Sequence, residues 1–249
     1  MLAFAPLHDA VGAAGRALTW FTTLLEPLAG DAATAAAIVV LTVVVRLLIS
    51  PLTLAQVRGE RCRAALAPEV HALQRRYADD PARLQGELFA LYRANGASPV
   101  SGCLPLLLQA PVLLVMYRLF TTAEGGTGLL DELLAGVPLG HHLGDGLDGG
   151  TLPLFGALLA ALLALAWWTS RRMRRAAATT GTVVGTPTEG PGAAVLGRVL
   201  PLLPYTTVLV ALVLPLAAVI YLVTTTAWSA AEQAVLRRPR PEPARIDGR

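Results

Sequence analysis

Long apolar runs alternate with polar segments along the chain, and the first clear run covers residues 32–54, AATAAAIVVLTVVVRLLISPLTL. About 20 apolar residues cross a bilayer as a helix, so this run predicts the first membrane span. It carries a single arginine. At ~1.5 Å per residue Arg46 falls past the bilayer midplane, where insertion scales put the cost of a charge at ~2.5–3.5 kcal/mol. Either the side chain snorkels to the nearer headgroups or it faces a hydrated interior. Thr34, Thr42, Arg46 and Ser50 recur at multiples of four, so Thr42, Arg46 and Ser50 share one slanting stripe, which favours the interior. Pro51 is expected to kink or end the last turn.

The rest of the pattern predicts an all-α, polytopic membrane protein with five core spans. Residues 1–31 precede the first span, and Leu18, Trp20, Phe21, Leu24, Leu25 and Leu28 fall roughly on one helical face, as in a helix lying in the membrane interface. Residues 55–100 are polar and predict a helical hairpin, with helices over 56–77 and 81–93. Asp80-Pro81 gives the second of these a carboxylate cap and a proline at its first position, and Asn95-Gly96 is a stop signal. Leu66, Val70 and Leu73 on one helix, and Leu84, Leu88 and Leu91 on the other, form the apolar faces on which the hairpin packs.

The second span is read over 101–122, with Gln109 between Pro105 and Pro111; that amide either glues helices together or lines a polar path. The third covers 151–170, and its end carries Trp167 and Trp168 as interface residues. Val199 to Trp228 is too long for one span, so the pattern divides at Pro215 into a fourth span, 199–213, and a fifth, 217–230. Residues 171–198 read as a loop and 231–249 as a basic tail.

Charge then orients these spans. The 249-residue chain is 54% hydrophobic and 15% charged, with a mean hydropathy of +0.57 and every one of its 20 basic residues an arginine. Arginines 58, 61, 63, 75, 76, 83 and 93 lie in the hairpin, 171, 172, 174 and 175 follow the third span, and five more lie in the tail. The loop 123–150 has acidic residues and no arginine. Loops rich in arginine stay inside, which predicts a membrane protein with its N-terminus outside and its C-terminus cytoplasmic. No secretory cleavage pattern opens the chain, so the N-terminus is expected to be retained. Cys62 and Cys103 are expected as free cytoplasmic-side thiols.

Nothing in the chain predicts an enzyme. There is no phosphate-binding glycine loop, and the histidines and cysteines lack metal-ligand spacing, so neither cofactor nor metal is expected. The stretch GDGLDGG lacks the alternating ligands and closing glutamate of a calcium loop.

The segments LTVVVRLLISPLTLAQ and LAPEVHALQRRYADDPARLQGELFALYRANGASPVSGCLPLLLQAPVLLVMYRLF, and more weakly LPLLPYTTVLVALVLPLAAVIYLV, resemble the YidC/Oxa-type membrane protein insertases, in their compact, Gram-positive-like form. The resemblance implies five core spans around a hydrophilic groove open to the cytoplasm and lipid. It implies groove roles for Arg46, Thr42, Gln109 and Tyr221, beside which Ser50 extends the stripe. Its implied partners are nascent membrane proteins and the lipid bilayer, with the ribosome and the Sec translocon as further candidates and no specific nucleic acid. The chain departs from the family pattern at Pro215-Leu216-Ala217, at Ser101-Gly102 and at Leu222, and a compact form without a large external domain is expected. A small anionic-solute transporter or channel is the competing class. Transporters commonly carry internal repeats with broken helices; none is visible, and solute transport does not explain the cytoplasmic hairpin.

Overall fold

The computed structural model describes residues 5–96, 114, 115, 118, 128, 130–146, 149–180 and 199–236. These are mostly helical. Helix α1 (Ala5–Ala29) turns through one 3-10 turn into α2 (Ala33–Ala65) and packs against it. The hairpin helices α3 (Ala67–Arg76) and α4 (Pro81–Ala94) follow, then a two-stranded antiparallel ribbon, β1 (Leu133–Leu134) and β2 (Val137–Pro138). The chain ends in α5 (Thr151–Thr180), α6 (Leu203–Ala211) and α7 (Leu216–Leu236). By length and composition, Asp9–Gly59 and Thr151–Arg175 are the described helical stretches able to cross a membrane, and Leu200–Ala211 is a shorter apolar one.

One buried cluster ties the bundle together at one end. It takes Val11 and Leu18 from α1, Ala35, Ala37, Ile38 and Leu41 from α2, Phe155 and Leu162 from α5, and residues 216–222 of α7. Because the first halves of α2, α5 and α7 all contribute, these three helices start at the same end and run parallel. The apolar face expected on α1 is split: Leu18 is buried, Phe21 and Leu25 pack on the cluster, and Trp20, Leu24 and Leu28 face outward.

The ribbon closes that end. Its turn holds Ala135 (φ 53°) and Gly136 (φ 82°) in left-handed conformation, the backbone that a tight two-residue hairpin demands. Gly140 comes so close to Leu130 that a Cβ there would lie 3.2 Å from its side chain and carbonyl. The next residues reach α7: the Leu216 amide donates to the His141 carbonyl at 3.0 Å and the Ala217 amide to the Leu139 carbonyl at 2.9 Å. Two of the N–H groups that a helix start leaves unsatisfied are thereby paired.

Four boundaries differ from the sequence reading. The helix expected over 32–54 continues through Pro51 to Ala65, so the hairpin begins at residue 66 and not at 55. Proline removes one intrahelical bond, and membrane helices tolerate this; the Ser50 hydroxyl lies 3.0 Å from the Arg46 carbonyl, one of two acceptors within reach of its single proton. The interruption falls instead at Leu66, just ahead of Pro68 in the first turn of α3. The third helix reaches Thr180, beyond the expected 170. In the fourth, Pro201 and Pro204 replace the start of the expected 199–213 helix by a 3-10 turn, Leu200–Leu202, leaving nine residues of α-helix. The fifth was expected to end at 230, yet α7 continues through Glu232 to Leu236.

The hairpin forms as the apolar pattern predicts, with α3 against α4. The Asp80 carboxylate accepts from the Arg83 amide at 3.0 Å, and Gly96 stops α4 at φ 65°. Tyr77 at the corner lies under the guanidinium groups of Arg76 and Arg83, 5.7 and 5.3 Å from its ring centre. Cys62 of α2, a free thiol, lies 3.6 Å from the Asn95 carbonyl, where the end of α4 returns to α2.

Candidate functional site

Two polar stripes face each other where α2 packs on α7, beyond the buried cluster. On α2 the stripe is Thr42, Arg46 and Ser50. On α7 it is Tyr221, Thr225, Ser229 and Glu232, whose spacings of four, four and three put them on one helical face. Arg46, for which an inward position is expected, reaches across to α7: its guanidinium Nε donates to Thr225 Oγ1 at 2.9 Å, and Nη2 donates to the same oxygen. Thr225 is its hydrogen-bond partner among the described residues. A guanidinium has five donors, so the remainder can serve water or an incoming chain.

The neighbouring hydroxyls show why Thr225 is available. Thr224 and Thr226 donate to the carbonyls of Ile220 and Leu222 at 2.8 and 2.6 Å, so both are spent on their own helix. Thr225 points its oxygen across to α2 instead. One turn further along α2, Ser50 Oγ lies 2.7 Å from Glu232 Oε1, the shorter of its two contacts, and its single proton goes to the carboxylate in place of the Arg46 carbonyl at 3.0 Å. The stripes thus cross-clamp: the α2 cation is held by an α7 hydroxyl, and the α7 anion by an α2 hydroxyl.

Other expected groove residues take different positions. Thr42 is buried and its hydroxyl donates to the Ile38 carbonyl at 2.6 Å, one turn before Arg46 on α2. Tyr221 is buried at the same level and lies within electrostatic reach of the guanidinium. Gln109 lies outside the described residues. Glu232 and Thr225 were absent from the sequence reading. The signal for both was present in the spacing from Tyr221, but ending the last span at 230 assigned Glu232 to the tail.

Beyond the stripes, α7 is held at its far end by two arginines. Arg61 of α2 donates to the Leu236 carbonyl and Arg172 of α5 to the Gln233 carbonyl, at the helix terminus where carbonyls lack partners and cations are favoured. Trp228, between Thr225 and Glu232, has its indole N–H shielded and without a hydrogen-bond partner among the described residues. On α5, Arg171 lies 5.0 Å above the Trp167 ring, and Trp167 and Trp168 face outward, an arrangement suited to a headgroup layer.

At the closed end, the Asp145 carboxylate accepts from the His142 amide at 2.9 Å, and this bond holds its pKa below the ordinary carboxylate range. That carboxylate is therefore occupied in the stretch that superficially suggested calcium. No group of three potential metal ligands occurs among the described residues.

A helical membrane protein with facing polar stripes inside its bundle defines the class. Within that class the chain belongs to the 60Kd inner membrane protein family, the YidC/Oxa family, whose model matches residues 25–243. Among similar proteins, the membrane protein insertase YidC of Clostridium perfringens is 42% identical over 84 residues, 34% of this chain and 35% of that one. The Caulobacter vibrioides YidC is 36% identical over 134 residues, 51% of this chain and 22% of its own length. Listeria innocua YidC 2 is 33% identical over 150 residues, covering 58% of this chain and 48% of that protein. The aligned region thus spans less than half of each of these relatives.

Proposed function

We propose that the chain is a membrane protein insertase and chaperone: it gives the short polar tail of a client a hydrated route partway through the bilayer and releases the client's apolar helix sideways into lipid. The observation that carries this reading is the pair of facing stripes, polar and half-buried beyond a closed, apolar end. Such a groove shortens the hydrocarbon path and lowers the desolvation cost of moving polar groups. Arg46 pairs transiently with acidic groups of the tail, using donors that Thr225 leaves over. Burial of the client helix in lipid, at ~25 cal/mol per Å² of apolar surface, drives release. No bond is made or broken.

In this reading the ribbon end faces outside and the arginine-rich ends of α2 and α5 face the cytoplasm, which the positive-inside rule supports. The α3–α4 hairpin then stands where emerging clients arrive, and is the candidate contact for the ribosome or the Sec translocon. The test is rescue of a bacterium depleted of its own insertase. Wild type and Arg46→Lys are expected to restore growth and insertion of a small client, and Arg46→Ala to fail. Rescue by the alanine variant would remove the role of the charge; failure of well-expressed wild type would remove the insertase reading.

A further inference from the structure

The stripes carry two opposite charges that lie within electrostatic reach of each other but are each hydrogen-bonded elsewhere. Arg46 is held by Thr225 and Glu232 by Ser50, so each ion is clamped by a neutral hydroxyl of the opposite helix and not by the other ion. Thr225 and Glu232 lie seven residues apart on α7, about 10 Å along the axis. Glu232 is on the side away from the buried cluster, so a chain arriving from the open end passes the anion first and the cation second.

From this order we infer that Glu232 is a second client-reading residue, and that the groove selects tails in which an acidic group runs ahead of a basic one. An extended chain covers ~3.3 Å per residue, so client charges about three residues apart span the axial rise from Thr225 to Glu232. In a client whose N-terminus crosses the membrane, the acidic residue comes first in sequence and the basic residue follows; in one whose C-terminus crosses, the order is reversed. Once the acidic group sits on Arg46, the basic group rests on Glu232 and marks the part of the tail that stays behind. A tail with acidic groups alone must pass Glu232 against like-charge repulsion. Two fixed charges in a hydrated groove therefore read order and spacing, which one cation cannot do.

This inference rests on the insertase reading. Its test uses the full chain in liposomes and a single-span client whose N-terminal tail is translocated, scored by protease protection. Four tails are compared: neutral, acidic only, acidic followed by basic at three residues, and the same pair at eight. Wild type is expected to insert the three-residue pair about two- to fivefold better than the eight-residue pair, as a partly hydrated ion pair contributes less than a tenfold step. Glu232→Gln, whose amide oxygen still faces Ser50, should abolish that spacing preference and raise insertion of the acidic-only tail. Glu232→Asp should retain the preference, which separates loss of charge from loss of fold. Equal change in all four tails on Glu232→Gln, or no spacing preference in wild type that inserts clients well, overturns the inference and leaves the insertase reading standing. Wild type that inserts no client above protein-free liposomes overturns both.

Discussion

The two halves of α7 are made for different surroundings. Residues 216–222, LAAVIYL, are all buried, and Leu216 and Val219 expose 0% of their surface. From residue 223 the sequence becomes VTTTAWSAAEQAVL, and its residues are half-buried or exposed. The first half is wedged among α1, α2, α5 and the ribbon, while the second presents hydroxyls and a carboxylate to the polar stretch of α2. One continuous helix therefore supplies both a buried plug and, in the reading proposed above, a groove wall, and the boundary between them falls at the level of Tyr221 and Thr42.

The largest effect is expected where the plug is tightest. Phe155 is fully buried in the cluster, and Phe155→Ala should cost about 3 kcal/mol through the cavity it leaves. Thermal unfolding of the purified protein in detergent measures this, and an unchanged midpoint would mean that this end is not the rigid one. Next comes the clamp across the stripes. Thr225→Val keeps shape but removes the acceptor of Arg46, and hydrogen bonds to charged groups contribute ~1.5–3 kcal/mol. We expect lower stability and weaker insertion, with Thr225→Ser restoring both; equal loss in the serine and valine variants would argue against the hydroxyl.

A smaller effect is expected where arginines hold the groove wall. Arg61→Ala or Arg172→Ala should fray the last turn of α7 by about 0.5–1 kcal/mol, the worth of a cation at a helix C-terminus. Faster amide exchange confined to the last turn would show it. The smallest concerns Asp145, which is exposed. Its carboxyl titrates below the ordinary carboxylate range because the His142 amide bonds to it. A depressed pKa adds stability above the unfolded value that is lost as pH falls through the folded one. Asp145→Asn should therefore weaken the ribbon slightly at neutral pH and make no difference once the pH is well below 3.8, as read by exchange at the Leu216 and Ala217 amides.

How much of this was legible follows from which physical signals are local. The apolar run around Arg46, its four-residue polar stripe, the Asp80 cap and the Gly96 stop are short-range patterns, and each appears in the structure where the chain placed it. The second stripe was only partly legible. Tyr221 came from the family resemblance, whereas Thr225 and Glu232 become meaningful only when α7 is known to face α2. Helix ends were the weakest point, since a proline in a membrane helix does not by itself decide between a kink, a stop and continuation: Pro51 is absorbed by α2, while Pro68 falls at a break. The ribbon escaped the reading because strands of two residues have no alternation to detect, and Ala135-Gly136 is a weaker turn signal than Asn-Gly.

The central claim is that the stripes wall a wet groove, open at one end of α7 and closed at the other. The most direct measurement places single cysteines along α7 in a chain with Cys62 and Cys103 replaced by serine, and labels them with a membrane-impermeant thiol reagent from each side of the membrane. The account predicts labelling from the cytoplasmic side at positions 225, 229 and 232, and protection from both sides at 218 and 219. Protection at all five positions, or labelling of 218 and 219 from outside, would contradict it.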